Sequence, residues 1–157
     1  MRITTAITLL LTLVAGAARA QAPAGSHASS QPELKWGPAP AVFPAGAQMA
    51  VLQGDPSSTG QFTVRLKMPS GYKFPPHTHP TDENVTVISG IFRVGMGTTF
   101  DEKNMMILRA GGFVTAPAQG AHFAEAQGPT IVQVHAIGPF ALTYVHPADA
   151  PHATSSK

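Results

Sequence analysis

Residues 71–90 read Gly-Tyr-Lys-Phe-Pro-Pro-His-Thr-His-Pro-Thr-Asp-Glu-Asn-Val-Thr-Val-Ile-Ser-Gly, and this stretch decides the fold. Its three prolines keep the first half extended, because proline fixes φ and cannot continue a helix. His77 and His79 stand two apart in that extended segment, so both imidazoles leave the same face of a strand. One metal ion can therefore take both as ligands.

A carboxylate follows the two histidines. Pro80-Thr81-Asp82 has the composition of a turn, and residues 84–88 are rich in β-branched side chains, so Glu83 opens the returning arm of a predicted hairpin. That arm brings its carboxylate back beside the imidazoles. Asp82 is the alternative ligand, but it belongs to the turn, and its side chain should face the side opposite to that of Glu83. The sequence favours Glu83.

A further ligand should come from a distant strand, since one hairpin alone leaves too many coordination positions open to water. His122 is the best candidate, because it follows a strand bounded by glycine and proline and opens the alternating run 122–125. Burying such a cluster without a metal would be costly. Three imidazoles and one carboxylate suit Fe, Mn, Ni, Zn or Cu, so the sequence predicts one divalent ion without choosing among them.

The first group of residues resembles the first motif of the cupin family. That motif is Gly, five residues, His-x-His, three or four residues, Glu, six residues, Gly, and it is matched by Gly71, His77, His79, Glu83 and Gly90. The resemblance in strand pattern covers roughly residues 45–147. It implies an all-β fold, a cupin-type double-stranded β-helix or jelly-roll barrel, with the metal ligands inside.

The second cupin motif is matched only in part. It is Gly, five residues, Pro-x-Gly, two residues, His, three residues, Asn, and Gly111, Pro117 and His122 fit it. Gln119 stands where the motif has glycine, with Gly120 one place late, and Ala126 stands where it has asparagine. The first departure falls in the turn before His122, and the second falls after it.

Length and composition set the domain organisation. The chain has 157 residues, enough for one domain with a sizeable core, and its 15 glycines and 15 prolines favour short strands and tight turns. The sequence predicts a barrel domain over residues 33–147, preceded by a secretory signal (1–20) and a flexible linker (21–32) and followed by a polar tail (148–157).

The predicted signal has a basic start, a short apolar run over residues 3–18 and a small-x-small site that ends at Ala20. A membrane anchor is the alternative, but the run is short for a bilayer span and contains threonines. We therefore expect cleavage after Ala20, a periplasmic or secreted protein, and no stable membrane association afterwards. Cleavage would remove two of the ten basic residues and leave eight against eight acidic ones. Without a basic patch, nucleic acid is not an expected partner.

Three features outside the motifs have two interpretations each. The proline-rich arm of residues 36–44 should pack along the outside of the barrel, as a lid or as a segment exchanged within a homodimer. His135 alternates with apolar neighbours on a late strand, so it either lines the pocket as a catalytic acid or base or faces solvent. Tyr144 is a candidate for the cavity wall, with core packing as the alternative.

The predicted site fits two classes of function. The first is a metal-dependent enzyme acting on a small organic molecule, and the resemblance to cupin dioxygenases implies an oxygenase. A lyase or isomerase is its nearest relative, in which Glu83, Tyr144 or His135 would move a proton. The second is a non-catalytic module that stores or senses a metal or a small ligand, as other cupins do. The fold alone does not choose between them.

Overall fold

A computed structural model describes residues 25–151, which form eleven strands and three single-turn 3₁₀ helices. The strands are β1 (Gly37–Pro38), β2 (Gln48–Gln53), β3 (Gly60–Met68), β4 (Lys73–Thr78), β5 (Glu83–Ser89), β6 (Ile91–Met96), β7 (Met106–Arg109), β8 (Phe113–Ala116), β9 (His122–Ala126), β10 (Thr130–Gly138) and β11 (Thr143–Tyr144). The 3₁₀ helices are Gln31–Glu33, Glu102–Asn104 and Pro147–Asp149. The predicted signal lies outside the described residues.

The strands form two antiparallel sheets. The first has the order β1-β2-β3-β10-β5-β8 and the second has the order β11-β4-β9-β6-β7. Alternate positions are buried along β3 and β10, for example Phe62, Val64 and Leu66 on β3, because successive side chains of a strand point to opposite faces. The buried apolar side chains of both sheets form one core cluster. The predicted all-β jelly-roll fold is confirmed.

The predicted hairpin that leads into β5 is wrong. The segment Pro80–Asp82 does not close a hairpin, because β4 belongs to the second sheet and β5 to the first. At its other end β5 is followed by Gly90, and β6 returns to the second sheet. A Cβ atom at Gly90 would lie 2.5 Å from the carbonyl oxygen of Pro129, so this crossing requires glycine. Alternation predicts which face a side chain takes but not which strand lies alongside.

The proline-rich arm packs against the barrel as expected. Its strand β1 pairs with β2 at the edge of the first sheet, and the ammonium of Lys67 lies 5.5 Å from the ring centroid of Trp36. Phe43 turns inward and meets Phe74 edge-to-face, with ring centroids 5.4 Å apart. No helix within residues 25–151 is long and apolar enough to cross a membrane.

Candidate metal centre

Three strands bring the four predicted ligands together inside the barrel. His77 lies on β4 directly opposite His122, the first residue of β9, and their ring centroids are 4.2 Å apart. His79 follows two residues after His77 in the same extended segment, with a centroid distance of 4.9 Å. One ring nitrogen from each of the three histidines lies within 4.8 Å of the other two. This spacing allows a single ion to contact all three.

A backbone carbonyl fixes the orientation of each imidazole. Nδ1 of His77 donates to the oxygen of Pro75 at 2.7 Å, and Nδ1 of His79 donates to that of Ala141 at 2.7 Å. Nδ1 of His122 donates to the oxygen of Gly120 at 3.0 Å. Because a carbonyl oxygen only accepts, Nδ1 must carry the proton and a neutral ring keeps its lone pair on Nε2. Histidines that bind metals are held in this way.

The free nitrogens of this cluster are poorly satisfied. The three histidines are each only 3% exposed. Nε2 of His79 makes no hydrogen bond with any described residue, and Nε2 of His122 meets only the Glu83 carboxylate, whose Oε2 lies 3.2 Å away. Leaving such a buried polar atom unsatisfied is costly. A divalent cation satisfies both nitrogens, so the donor set of this chain fits a metal ion.

Glu83 supplies the carboxylate, as the alternation predicted. Its Oε2 lies 3.2 Å from Nε2 of His122 and 3.6 Å from Nε2 of His79. Val85, two residues further along β5 and on the same face of the strand, is buried. Asp82 points the other way: it is exposed, and its Oδ1 accepts a hydrogen bond from the backbone nitrogen of Ala118 at 2.7 Å. The geometry therefore brings Glu83, and not Asp82, to the three imidazoles.

Burial and the carboxylate control the protonation of the cluster. Burial, reinforced by the nearby His122 and His79, lowers the pKa of His77 to about 3. Burial also lowers the pKa of His79. Burial acts on His122 in the same direction, but the contact with Glu83 and its charge outweigh it and raise that pKa. Burial would raise the pKa of Glu83, yet the imidazoles outweigh it and lower that pKa. Both shifts favour a proton on His122 beside an ionised Glu83, so a metal that binds Nε2 of His122 competes with that proton.

The turn before His122 shows how the chain departs from the second cupin motif. Gly120 donates its backbone N–H to the oxygen of Pro117, and Gln119 adopts φ of 59°, the one positive φ of a non-glycine residue among residues 25–151. The backbone nitrogen of Gln119 also donates to the oxygen of His79 at 2.8 Å. The backbone thus keeps the conformation that glycine favours, although glutamine occupies the position.

Replacing Gln119 with glycine is expected to stabilise the protein. The left-handed conformation costs a non-glycine residue about 1–3 kcal/mol, and the greater freedom of glycine in the unfolded chain offsets about 0.5–1 kcal/mol of the relief. We expect a net gain of about 1 kcal/mol in the free energy of unfolding, measured by urea denaturation. Gly120→Ala is the contrasting variant and should lower the free energy of unfolding, because a Cβ atom there would lie 2.8 Å from a carbon of the Pro117 ring. A loss of stability in Gln119→Gly would contradict this account of the turn.

The two residues suggested for catalysis do not reach the centre. His135 is exposed on β10, with Nδ1 3.0 Å from the hydroxyl of Thr63 on the neighbouring strand, which is the solvent-facing alternative that the sequence left open. Tyr144 is buried in the core, and its hydroxyl donates to the backbone oxygen of Val42 at 2.8 Å. Burial raises its pKa to about 12. Its hydroxyl therefore anchors the proline-rich arm.

The apolar wall of the site was not predicted from the sequence, and one of its residues comes from the proline-rich arm. Phe43, in the proline-rich arm, lines the cavity that faces the histidines, together with Glu83 and apolar side chains from both sheets. The signal available in the sequence was a large aromatic residue between prolines, which indicates an anchored lid but gives no position along the barrel. The space left at the centre, about 30 Å³, admits an ion and about one or two water molecules.

The model of the ChrR cupin-like domain matches residues 24–141, most of the chain. The chain belongs to the ChrR cupin-like family. The search of curated proteins gave no match. A three-histidine centre inside a jelly-roll barrel fits a metal-binding cupin.

Solved structures share the fold of this cupin at low sequence identity. The polyketide cyclase RemF from Streptomyces resistomycificus has a TM-score of 0.66 at 14% identity, over 80% of this chain and 89% of its own. A putative acetylacetone dioxygenase from Methylibium petroleiphilum PM1 has a TM-score of 0.62 at 22% identity, over 86% and 91%. The DMSP lyase DddQ from Ruegeria pomeroyi DSS-3 has a TM-score of 0.58 at 20% identity, over 73% and 62%. These proteins are named for three different reactions, so the shared fold does not choose one.

Proposed function

We propose that this cupin is a metal-dependent oxygenase that acts on a small organic molecule. One observation carries the proposal: apart from His77, His79, His122 and Glu83, every described side chain that lines the central cavity is apolar. A lyase or isomerase needs a group that moves a proton to or from the substrate. Among the residues described, none remains for that task once these four hold an ion. His135 is exposed, and the hydroxyl of Tyr144, although its ring lies near His77, is bonded to the oxygen of Val42.

The chain contributes positioning and the exclusion of water. The carbonyls of Pro75, Ala141 and Gly120 hold the three imidazoles with their lone pairs turned inward. Glu83 adds one negative charge and keeps it, since its pKa is lowered. When bound, a redox-active ion would supply electron transfer and coordination positions left open by the four ligands. The apolar wall limits the water around those positions to the one or two molecules that the space admits, which strengthens the electrostatic interactions there.

Oxygen consumption tests the proposal. The mature protein is loaded separately with Fe(II), Mn(II), Ni(II), Cu(II) and Zn(II), and oxygen uptake is followed with a panel of small phenols, diketones and organic acids. We expect uptake in proportion to substrate loss with at least one redox-active ion and none with Zn(II). The His77→Ala/His79→Ala double variant, treated identically, controls for free metal. Substrate loss without oxygen uptake would indicate a lyase or isomerase, and binding without any turnover a storage or sensing role.

A further inference from the structure

A second cavity of about 330 Å³ lies next to the metal centre, under the proline-rich arm. Five residues line both cavities: Phe43, Leu66, Glu83, Val134 and Leu142. The two spaces therefore meet at Glu83. Phe140 connects them as well, because its ring stacks on the imidazole of His79, with centroids 4.2 Å apart, and also lines the second cavity. We call this second cavity the arm chamber.

The walls of the arm chamber are apolar. Besides the shared residues, its described lining consists of Pro40, Val42, Met49, Pro56, Phe62, Val64, Phe140 and Ala141. In the whole described lining of the chamber, the shared residues included, Glu83 is the one charged side chain. No described Lys or Arg side chain lines either cavity. An anionic or zwitterionic group placed in the chamber would lose its hydration without gaining a counter-ion. Burying a hydrocarbon group there is favourable.

Two buried tyrosines hold the roof of the chamber in place. The hydroxyl of Tyr144 donates to the oxygen of Val42 at 2.8 Å, and the hydroxyl of Tyr72 donates to the oxygen of Pro44 at 2.6 Å. These bonds flank Phe43 on both sides, so its ring is fixed at the junction of the two cavities. Pro40 and Val42, which line the chamber, are also exposed to solvent. The chamber is thus preformed and lies close to the surface.

We infer that the arm chamber binds the apolar tail of a molecule whose metal-chelating end reaches His77, His79, His122 and Glu83. The ligand class is a small, uncharged hydrocarbon chain or ring that carries one pair of chelating oxygens at one end. Molecules with a charged group at the far end are excluded by the apolar wall. That such a molecule is the substrate rests on the proposed function. Its binding in the arm chamber requires no turnover and can be measured separately.

A homologous series of probes tests the inference on the Zn(II)-loaded protein, where redox turnover does not interfere. Straight-chain hydroxamic acids, from acetohydroxamic to octanohydroxamic acid, are titrated by calorimetry. We expect the dissociation constant to fall about fourfold for each added methylene until the chamber is full, as burial of that group implies. The monohydroxamate of adipic acid, which ends in a carboxylate, should bind no better than acetohydroxamic acid.

A matched pair of substitutions locates the tail. Met49→Trp, which fills part of the chamber, is expected to weaken binding of the longest hydroxamate by about 15-fold, the effect of about two methylenes. It should leave acetohydroxamic acid within about twofold. Met106→Trp is the control, because Met106 is 46% exposed on the edge strand β7 and lines neither cavity.

The outcomes separate the inference from the metal centre. If acetohydroxamic acid binds and the longer probes bind no more tightly, the arm chamber is overturned and the metal centre is left intact. The same conclusion follows if the carboxylate-ended probe binds as tightly as its neutral analogue. Equal losses in Met49→Trp and Met106→Trp also overturn it. A protein that takes up Zn(II) but binds no hydroxamate contradicts both the chamber and an open metal centre. The series on the unsubstituted protein decides even if Met49→Trp does not fold.

Discussion

Alanine in place of both His77 and His79 is expected to abolish metal binding. The unsubstituted protein should hold about one divalent ion per chain, because its inward-facing imidazole nitrogens and one carboxylate lie within reach of a single ion. The double variant keeps one imidazole and the carboxylate, too few ligands to retain an ion through dialysis. Elemental analysis of both proteins after identical dialysis measures the loss.

His135→Ala is the matched control for the double variant. His135 is another histidine of the barrel, but it is exposed and bonded to Thr63, so its removal should leave the metal content unchanged. Far-ultraviolet circular dichroism confirms that each variant is folded. Full metal occupancy in the folded double variant would show that the ion binds elsewhere.

Glu83→Gln is expected to weaken metal affinity by about 10- to 100-fold, the scale that perturbing a metal site produces. Glutamine keeps the shape of the side chain but removes the negative charge, and its carbonyl oxygen is a poorer ligand than a carboxylate. The substitution also removes the contact with the Glu83 carboxylate that raises the pKa of His122, so that pKa should fall. Competitive titration with a chelator of known affinity gives the change.

Asp82→Asn is the companion to that variant. The Asp82 carboxylate bonds to the backbone nitrogen of Ala118, outside the metal centre, so we expect its replacement to change affinity by less than about threefold and stability by about 1 kcal/mol. An equal loss of affinity in both variants, or a loss confined to Asp82→Asn, would mean that the inner face of β5 begins one residue earlier.

The convergence of the candidate ligands was predictable because local rules govern it. Alternation along a strand distinguishes Glu83 from Asp82 with no knowledge of the neighbouring strands, since a shift of one residue reverses the face. Proline at both sides of His77 and His79 keeps them extended, whatever lies beside them. His122 is far from the other ligands in the chain, so strand periodicity alone does not assign it to the same site. The spacing of the second motif made that assignment. Gln119 was recognised as a departure, and the structure shows its consequence as a positive φ.

The strand pairing and the arm chamber were not predictable in the same way. The sequence around Gly90 reads equally well as a hairpin turn or as a crossing between sheets, and the contact with Pro129 that requires glycine involves residues far apart in the chain. The position of Phe43 depends on two hydroxyl bonds, from Tyr72 and Tyr144, that no spacing in the sequence reveals. His135 alternates like a pocket residue, yet the sheet turns it outward.

The most direct test of the metal centre is X-ray absorption on the protein loaded with one equivalent of Zn(II). Because the three Nδ1 atoms are held by carbonyls, all three imidazoles should coordinate through Nε2. The fitted spectrum should show three imidazole nitrogens at about 2.0–2.1 Å, with oxygen ligands completing the shell, and Glu83→Gln should alter the oxygen shell while keeping three imidazoles. A spectrum with fewer than three imidazoles in the unsubstituted protein would contradict the assignment of His77, His79 and His122 as ligands.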